Sequence, residues 1–334
     1  MRRGGAILAG DVGGTKTYLG LFIASGGKLK ALDVRKYVNR DYPGLEGILE
    51  DFLPVIPCSG IRSAAFGIAG PVEDKRRRLT NIPWRIDEKS IRKKLGIKRL
   101  GLLNDLAAAA WGLQVIPKKD LVTIQKGSPQ KGNAAFIAAG TGLGEAMLFW
   151  DGRRHIPGSS EGGHADFAAC CPFEAELFSY LTDKFGHVSY ERVLSGSGLE
   201  NIYKFIKERS GREEPGRLKK RFKEAALDMA SVISDEALKG GDMDCALALD
   251  TFVSIYGREA GNLALKAMAV GGVYVGGGIA PRILKALKSR RFTGAFADKG
   301  RFKGFLRRIP IYSVLNDKTA LYGAARYALQ LAGR

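Results

Sequence analysis

Cysteine and histidine are scarce, and their scarcity narrows the chemistry. There are four cysteines, Cys58, Cys170, Cys171 and Cys245. None forms a C-x-x-C pair, which argues against a disulfide scaffold, a zinc ribbon and a thioredoxin-type site. Sparse thiols suit a reducing compartment, so a cytoplasmic location is expected. The three histidines are His155, His164 and His187, and no third ligand stands at a metal-binding spacing from Glu161 and His164. Long apolar runs are also missing. None spans a bilayer, and the first apolar stretch meets Asp11 too early for a signal sequence, so no membrane partner is expected. A Walker A loop is absent, because no G-x-x-x-x-G-K-[ST] spacing occurs.

Positive charge is abundant, with a formal net charge of +19. The basic runs are short and scattered: Arg76-Arg77-Arg78, Lys219-Lys220-Arg221, Arg290-Arg291 and Arg307-Arg308. They lack a recognisable nucleic-acid module, so no nucleic-acid partner is expected. The charged stretch from Lys207 to Lys223 reads as a solvated helix face and loop. A positive field would favour encounter with anionic nucleotides.

The 334 residues suggest about two domains. Ala6–Val12, Thr17–Ala24 and Leu29–Tyr37 read as an antiparallel meander joined by glycine turns. A helix over Pro43–Phe52, a strand over Ser63–Ala69, a basic helix capped by Asp87, a short strand at Leu100–Leu103 and an alanine-rich helix to Gly112 follow. The second half reads as strands at Ala134–Ala139 and Glu145–Trp150, then helices from Pro172 to Ala269. A strand at Gly272–Val275, a helix from Pro281, a strand at Ile309–Val314 and a helix at Thr319–Leu331 complete it. Glycine-rich strand turns stand near the start of each half. They predict two related mixed α/β domains facing one another across a cleft, the second starting near Val115.

Five segments carry chemistry. In Gly10-Asp11-Val12-Gly13-Gly14-Thr15-Lys16-Thr17, a strand delivers an Asp into a glycine turn followed by hydroxyls. Backbone N–H groups there can hold phosphate oxygens, and Asp11 could hold Mg²⁺ through water; an ordinary hairpin is the bland alternative. Gly140-Thr141-Gly142-Leu143-Gly144 repeats the logic, and the strand after it argues against a dinucleotide fingerprint, which needs a helix there. Gly276-Gly277-Gly278 could let an adenine lie against the backbone or could serve only close helix–strand packing. Asp105, after Leu103-Asn104, is either a helix N-cap or a general base for a hydroxyl. Glu161 and His164 sit in a polar, glycine-flanked loop and could both face a ligand with vicinal hydroxyls. Glu191 is a further candidate carboxylate, or a surface residue.

Together these segments resemble the bacterial glucokinase family, within the actin–hexokinase–heat-shock ATPase superfamily. The resemblance runs in order over nearly the whole chain. It also includes Phe66 to Pro71, Leu79 to Trp84, Glu161 to Phe167, Glu191 to Gly196, Asp298 to Phe302 and Leu321 to Ala325. It implies two mixed-sheet α/β domains of ribonuclease H-like (actin-like ATPase) type flanking a cleft that closes on sugar, a small one of residues 1–114 completed by the C-terminal helix (315–334) and a larger one of residues 115–314. It implies ATP and Mg²⁺ as cofactors, glucose as acceptor and a homodimer. It implies Asp105 as catalytic base and Asn104, Asp105, Glu161, His164 and Glu191 as the glucose-binding set. Asp11, Gly13, Gly14, Thr15 and Lys16, with Gly140, Thr141 and Gly142, would be the phosphate loops, and Gly276, Gly277 and Gly278 the adenosine motif. Ser160 stands where relatives often carry glycine. The related repressor–ORF–kinase (ROK) group usually has a zinc-binding cysteine cluster after its histidine; only Cys170-Cys171 follows here, which favours glucokinases proper. Another hexose or amino-sugar kinase, a sugar-sensing regulator and a polyphosphate donor stay open. The regulator would need a DNA-binding module, and a first strand starting near Ala6 leaves no room for one ahead of it.

Overall fold

The computed structural model describes residues 5–25, 28–53, 60–70, 76–78, 84–158, 160–225 and 228–333. Cys58, most of Leu79 to Trp84 and Pro71 lie outside them. The chain divides into two compact units, Met1–Lys118 with His155–Ser159 and Asn316–Arg334, and Lys119–Arg154 with Ser160–Leu315.

The first unit is built on strand β1 (Ala6–Val12). Its side chains alternate between two cores, as the strand period requires. Leu8 and Val12 join a cluster with Leu45, Ile48, Leu49 and Phe52 of α1 (Leu45–Phe52). Ile7 and Ala9 join another with Leu321, Ala324, Ala325 and Ala328 of the last helix, Thr319–Ala332. A strand covered on both faces needs a nearly continuous apolar run, and A-I-L-A-G-D-V supplies one. β2 (Lys16–Ser25) and β3 (Lys28–Val38) continue antiparallel on one side of β1. β4 (Ile61–Ile68) and, beyond a small β5–β6 ladder (Arg76–Arg78, Arg85–Asp87), β7 (Leu100–Asn104) continue parallel on the other. The sheet order is β3-β2-β1-β4-β7. Asp87 caps α2 (Glu88–Leu95), as expected, through the amides of Lys89 and Ser90.

The second unit repeats the central arrangement. Its strands are β8 (Leu121–Gln125), β9 (Ala134–Ala139), β10 (Leu143–Trp150), β12 (Gly272–Gly276) and β13 (Ile311–Val314). β11 (His155–Gly158) belongs to the first unit and packs on α3 (Asp105–Gly112). β9 pairs antiparallel with β10 and parallel with β12, just as β1 pairs antiparallel with β2 and parallel with β4. Both glycine turns, after β1 and after β9, therefore leave the same position of the same local topology. The helices are α4 (Pro172–Phe185), α5 (Gly196–Ser210), α6 (Gly216–Ala225), α7 (Met229–Lys239) and the 25-residue α8 (Met243–Ala267). α9 (Ile279–Arg282), α10 (Leu284–Leu287), α11 (Arg290–Ala297) and α12 (Lys303–Arg308) follow β12. α8 is buried along most of its length and packs against β9 and β10.

Two expectations need correction. The helix after the Gly276–Gly278 turn starts at Ile279, ahead of Pro281, because a proline in the first helical turn lacks only an N–H that would have no intrahelical partner. The Lys207–Lys223 stretch is more than a solvated face. Lys207 lies 3.2 Å from Asp244, Arg217 lies 2.8 Å from Glu236, and Arg212 and Arg221 also pair with these two carboxylates. Asp244 and Glu236 are buried, so the basic residues supply the partners that buried charge demands.

The closing helix α13 (Thr319–Ala332) presses on α3 so tightly that glycine is required at the crossing. A Cβ at Gly323 would collide with the carbonyl oxygen of Ala108, and one at Gly112 with that of Thr319. Ser63 Oγ adds a hydrogen bond to the Ala328 carbonyl (2.7 Å). Gly323→Ala should therefore cost about 1–3 kcal/mol or more through overpacking. Chemical denaturation followed by tryptophan fluorescence, with Trp111 beside the crossing, checks this; an unchanged midpoint would contradict the close approach.

Candidate active site

In the first unit the β1–β2 turn is fixed from outside itself. Gly13 N donates to the Lys16 carbonyl (3.0 Å). Asn39 Nδ2 donates to the Gly13 carbonyl (2.7 Å), while Thr17 Oγ1 donates to Asn39 Oδ1 (2.8 Å). Thr15 and Lys16 remain exposed at the tip. Asn39 escaped the sequence reading, because nothing about an Asn at the end of β3 announces a turn 26 residues away.

Asp11 is the electrostatic focus of this unit. Burial first, then the charge of Asp105, raise its carboxyl to about 7; Lys16 opposes the shift and Asp317 adds to it. Asp317 also accepts a hydrogen bond from Tyr18 (3.2 Å) and was not expected from sequence. Three carboxyl groups thus face a region where, among the described residues, Lys16 is the cation acting on Asp11. An oxygen-rich set short of positive charge is what a Mg²⁺ ion with its waters accepts. The donor chemistry fits that ion.

The capping position expected of Asp105 is held by its neighbour, while Asp105 Oδ1 also accepts from the Leu106 amide (2.8 Å). Asn104, the last residue of β7, is the N-cap of α3 and accepts from the amides of Leu106 (2.8 Å) and Ala107 (3.2 Å). Its amide nitrogen reaches the Gly70 carbonyl (3.4 Å). Asp105 is the first helical residue instead, half-buried. A carboxylate at a helix N-terminus is also favoured by the helix dipole.

In the second unit the two glycine segments meet at one cavity. It has a volume of about 450 Å³ and is lined by Gly140, Thr141, Gly196, Ser197, Gly278 and Arg282, among others. Gly140 N donates to the Gly142 carbonyl and Gly196 N to the Gly140 carbonyl (2.8 Å each). The first turn of α5, whose helix dipole favours anions, thus borders the glycine loop, with Gly198 N held by Ser195 Oγ (2.9 Å). Beneath them Tyr256 of α8 accepts from Ala139 N (3.2 Å), with the Ile137 and Gly276 carbonyls within reach of its hydroxyl. Gly277 takes φ +83°, where a Cβ would strike the Ala139 carbonyl. Gly278 has open space around it. Gly276 and Gly277 do not line the cavity; they let β12 turn towards it. A larger cavity of about 800 Å³, lined by Arg258, Arg290, Arg291, Lys303 and Arg307, contains none of the expected site residues.

Glu161, His164 and Glu191 come together on neighbouring short turns. Glu161 and His164 are exposed on the turn Gly162–His164. Gly163 lies directly against the Leu143 carbonyl, leaving no room for a Cβ. Glu191 Oε2 accepts from Leu143 N (2.9 Å), and Tyr190 N donates to the Ala165 carbonyl (2.9 Å). The first residue of β10 therefore anchors both turns. Glu191 is tied to the glycine loop and is not a free surface residue.

These features have counterparts in known proteins. The family model described as Glucokinase matches residues 8–331. A glucokinase of Nostoc sp. strain PCC 7120 is 39% identical over 97% of this chain and 99% of its own length. The crystal structure of a glucokinase from an Antarctic psychrotroph superposes with a TM-score of 0.86 at 29% identity, covering 97% of this chain and 99% of that one. A ROK hexokinase from Thermus thermophilus shares the fold, with a TM-score of 0.64 at 18% identity over 98% of this chain and 100% of that one. The units are accordingly of the actin-like ATPase fold. Since the likeness takes in both units and every glycine turn described above, the chain belongs to the glucokinase family.

Proposed function

We propose that this chain transfers the γ-phosphoryl group of MgATP, in line, to the 6-hydroxyl of glucose. The observation that carries the reading is the cavity where Gly140-Thr141, the start of α5 and Gly278 meet. Its size suits an adenosine group, and its loop amides suit the phosphates. In this reading the Gly13-Gly14 turn and the Gly140-Thr141-Gly142 turn are the phosphate loops, with Thr15, Lys16 and Thr141 as polar neighbours.

In this reading Asp105 accepts the proton from the attacking hydroxyl. Asn104, Glu161, His164 and Glu191 hold the remaining hydroxyls. Asn104 is already locked by capping α3, so it meets the sugar at little entropic cost. Mg²⁺ would neutralise charge on the transferring phosphates, and Asp11 would hold it through water. Positioning and charge neutralisation supply most of the rate, as in other phosphoryl transfers. Cytoplasmic homodimers are what the resemblance implies, and we adopt that reading.

Coupled detection of glucose 6-phosphate tests the whole, with fructose, mannose, N-acetylglucosamine and N-acetylmannosamine as rival acceptors and polyphosphate as rival donor. Asp105→Ala should keep glucose binding and lower kcat by about 10²-fold or more; wild-type turnover would sink the base assignment. Gly278→Phe should fold normally, since its position is open and its φ is ordinary (−69°), but raise KM for ATP by about tenfold or more as the ring fills the cavity. Unchanged ATP affinity would move the nucleotide elsewhere. Asp11→Asn should raise the Mg²⁺ concentration for half-maximal rate by roughly 10–100-fold, and a magnesium titration at fixed ATP measures it.

A further inference from the structure

Beneath the turn that carries Glu161 and His164 lies a pair of carboxyl groups with no part in the reading above. Glu145 projects from β10 and is 2% exposed; Glu259 projects from α8 and is fully buried. The two side chains interact directly. Oε1 of each is buried without a hydrogen-bond partner among the described residues. Lys266 Nζ lies 3.7 Å from Glu259 Oε1, close enough for attraction but too far for a hydrogen bond. Two ionised carboxylates in contact at such depth repel and are poorly solvated. One proton between them removes both costs and gives each orphaned oxygen a share in a hydrogen bond.

The pair sits where a change in its charge would be felt by the sugar-reading turns. Glu145 Oε2 lies so close behind Gly162 that a Cβ there would collide with it. On the other side, Asn262 Nδ2 donates to Glu259 Oε2 (2.7 Å) and to the Tyr190 hydroxyl (3.1 Å). Tyr190 immediately precedes Glu191 and bonds the Ala165 carbonyl. Both turns thus rest on one buried polar chain: Gly162, Glu145, Glu259, Asn262, Tyr190.

Resting on the glucokinase reading, we propose that Glu145 and Glu259 are positioning residues whose shared proton holds the Gly162–His164 and Tyr190–Arg192 turns in the conformation that binds the sugar. Burial first, and then the Glu259 charge, raise the Glu145 carboxyl to about 8, with Lys266 opposing. The other groups acting on the pair are Tyr190 and Tyr256, with Lys299 also near Glu259. Because the folded pKa lies above the unfolded one, the stability this proton contributes is full below the ordinary carboxylate range. It is lost as the pH rises through about 8. Once the pair is doubly charged, repulsion acts on Glu145 directly behind the Gly162 turn.

The test compares wild type with Glu145→Gln, which keeps shape and hydrogen-bonding capacity but cannot titrate. Wild-type KM for glucose should rise about tenfold per pH unit above the titration, with kcat changing little. In Glu145→Gln that alkaline limb should vanish, and so should the fall in Tm that wild type shows as the pH rises from the ordinary carboxylate range to about 8. An identical limb in both proteins overturns the proposal, as does a Tm difference with no KM difference, which would make the pair merely structural. Were glucose not bound at any pH, the substrate reading would fail by itself. Amide exchange of residues 161–165 and 190–192 at pH 9 would then decide the proposal: faster exchange in wild type than in Glu145→Gln supports it, and equal exchange overturns it.

Discussion

Both units depend on one constraint: a buried central strand must end in a turn that exposes backbone amides without exposing the core. β1 and β9 satisfy it in the same way. Each is flanked by an antiparallel neighbour on one side and a parallel one on the other, so its end is fixed in register from both sides. A glycine turn on such a scaffold can hold donors in place before a ligand arrives, and preorganised donors lose little on binding. The surrounding helices serve that rigidity. Tyr256 ties α8 to the ends of β9 and β12 through three backbone groups.

The central strands and glycine turns were legible because their signals are local. An apolar run of seven residues followed by Gly-Gly, or a strand followed by Gly-Thr-Gly, states its own geometry. The final helix was legible from its alanine and leucine periodicity. Less legible was whatever depends on partners distant in sequence. β8 is a short strand at a sheet edge with only partly buried residues, so its pattern is weak. Asn39 and Asp317 gain their roles from a turn and an acidic cluster far away in the chain. The Lys207–Lys223 stretch looked solvated because Asp244 and Glu236 stand well beyond it.

The candidate site shows the same division. Residue types at Asp11, Asp105, Glu161, His164 and Glu191 suggested ligands, but not what supports them. Asn104 was set beside Asp105 without its capping role, which it performs through the Leu106 and Ala107 amides. Glu145 was read only as the start of a strand. A charged residue alternating with apolar ones ordinarily faces water, and only the packing of α8 against β10 turns it inward.

The last helix, α13, carries a consequence for how the protein is made. It supplies one side of the core on β1, yet residues 319–332 are synthesised after the entire second unit. The first hundred residues therefore leave the ribosome with one face of their sheet uncovered. Contacts of such sequence separation close slowly, and exposed sheet faces invite aggregation in the interval. The second unit lacks this delay: its strands and α8 lie within one span, apart from the short 155–159 segment. Synthesis thus imposes an order in which the second unit can be complete while the unit bearing Asp105 still waits for its final helix.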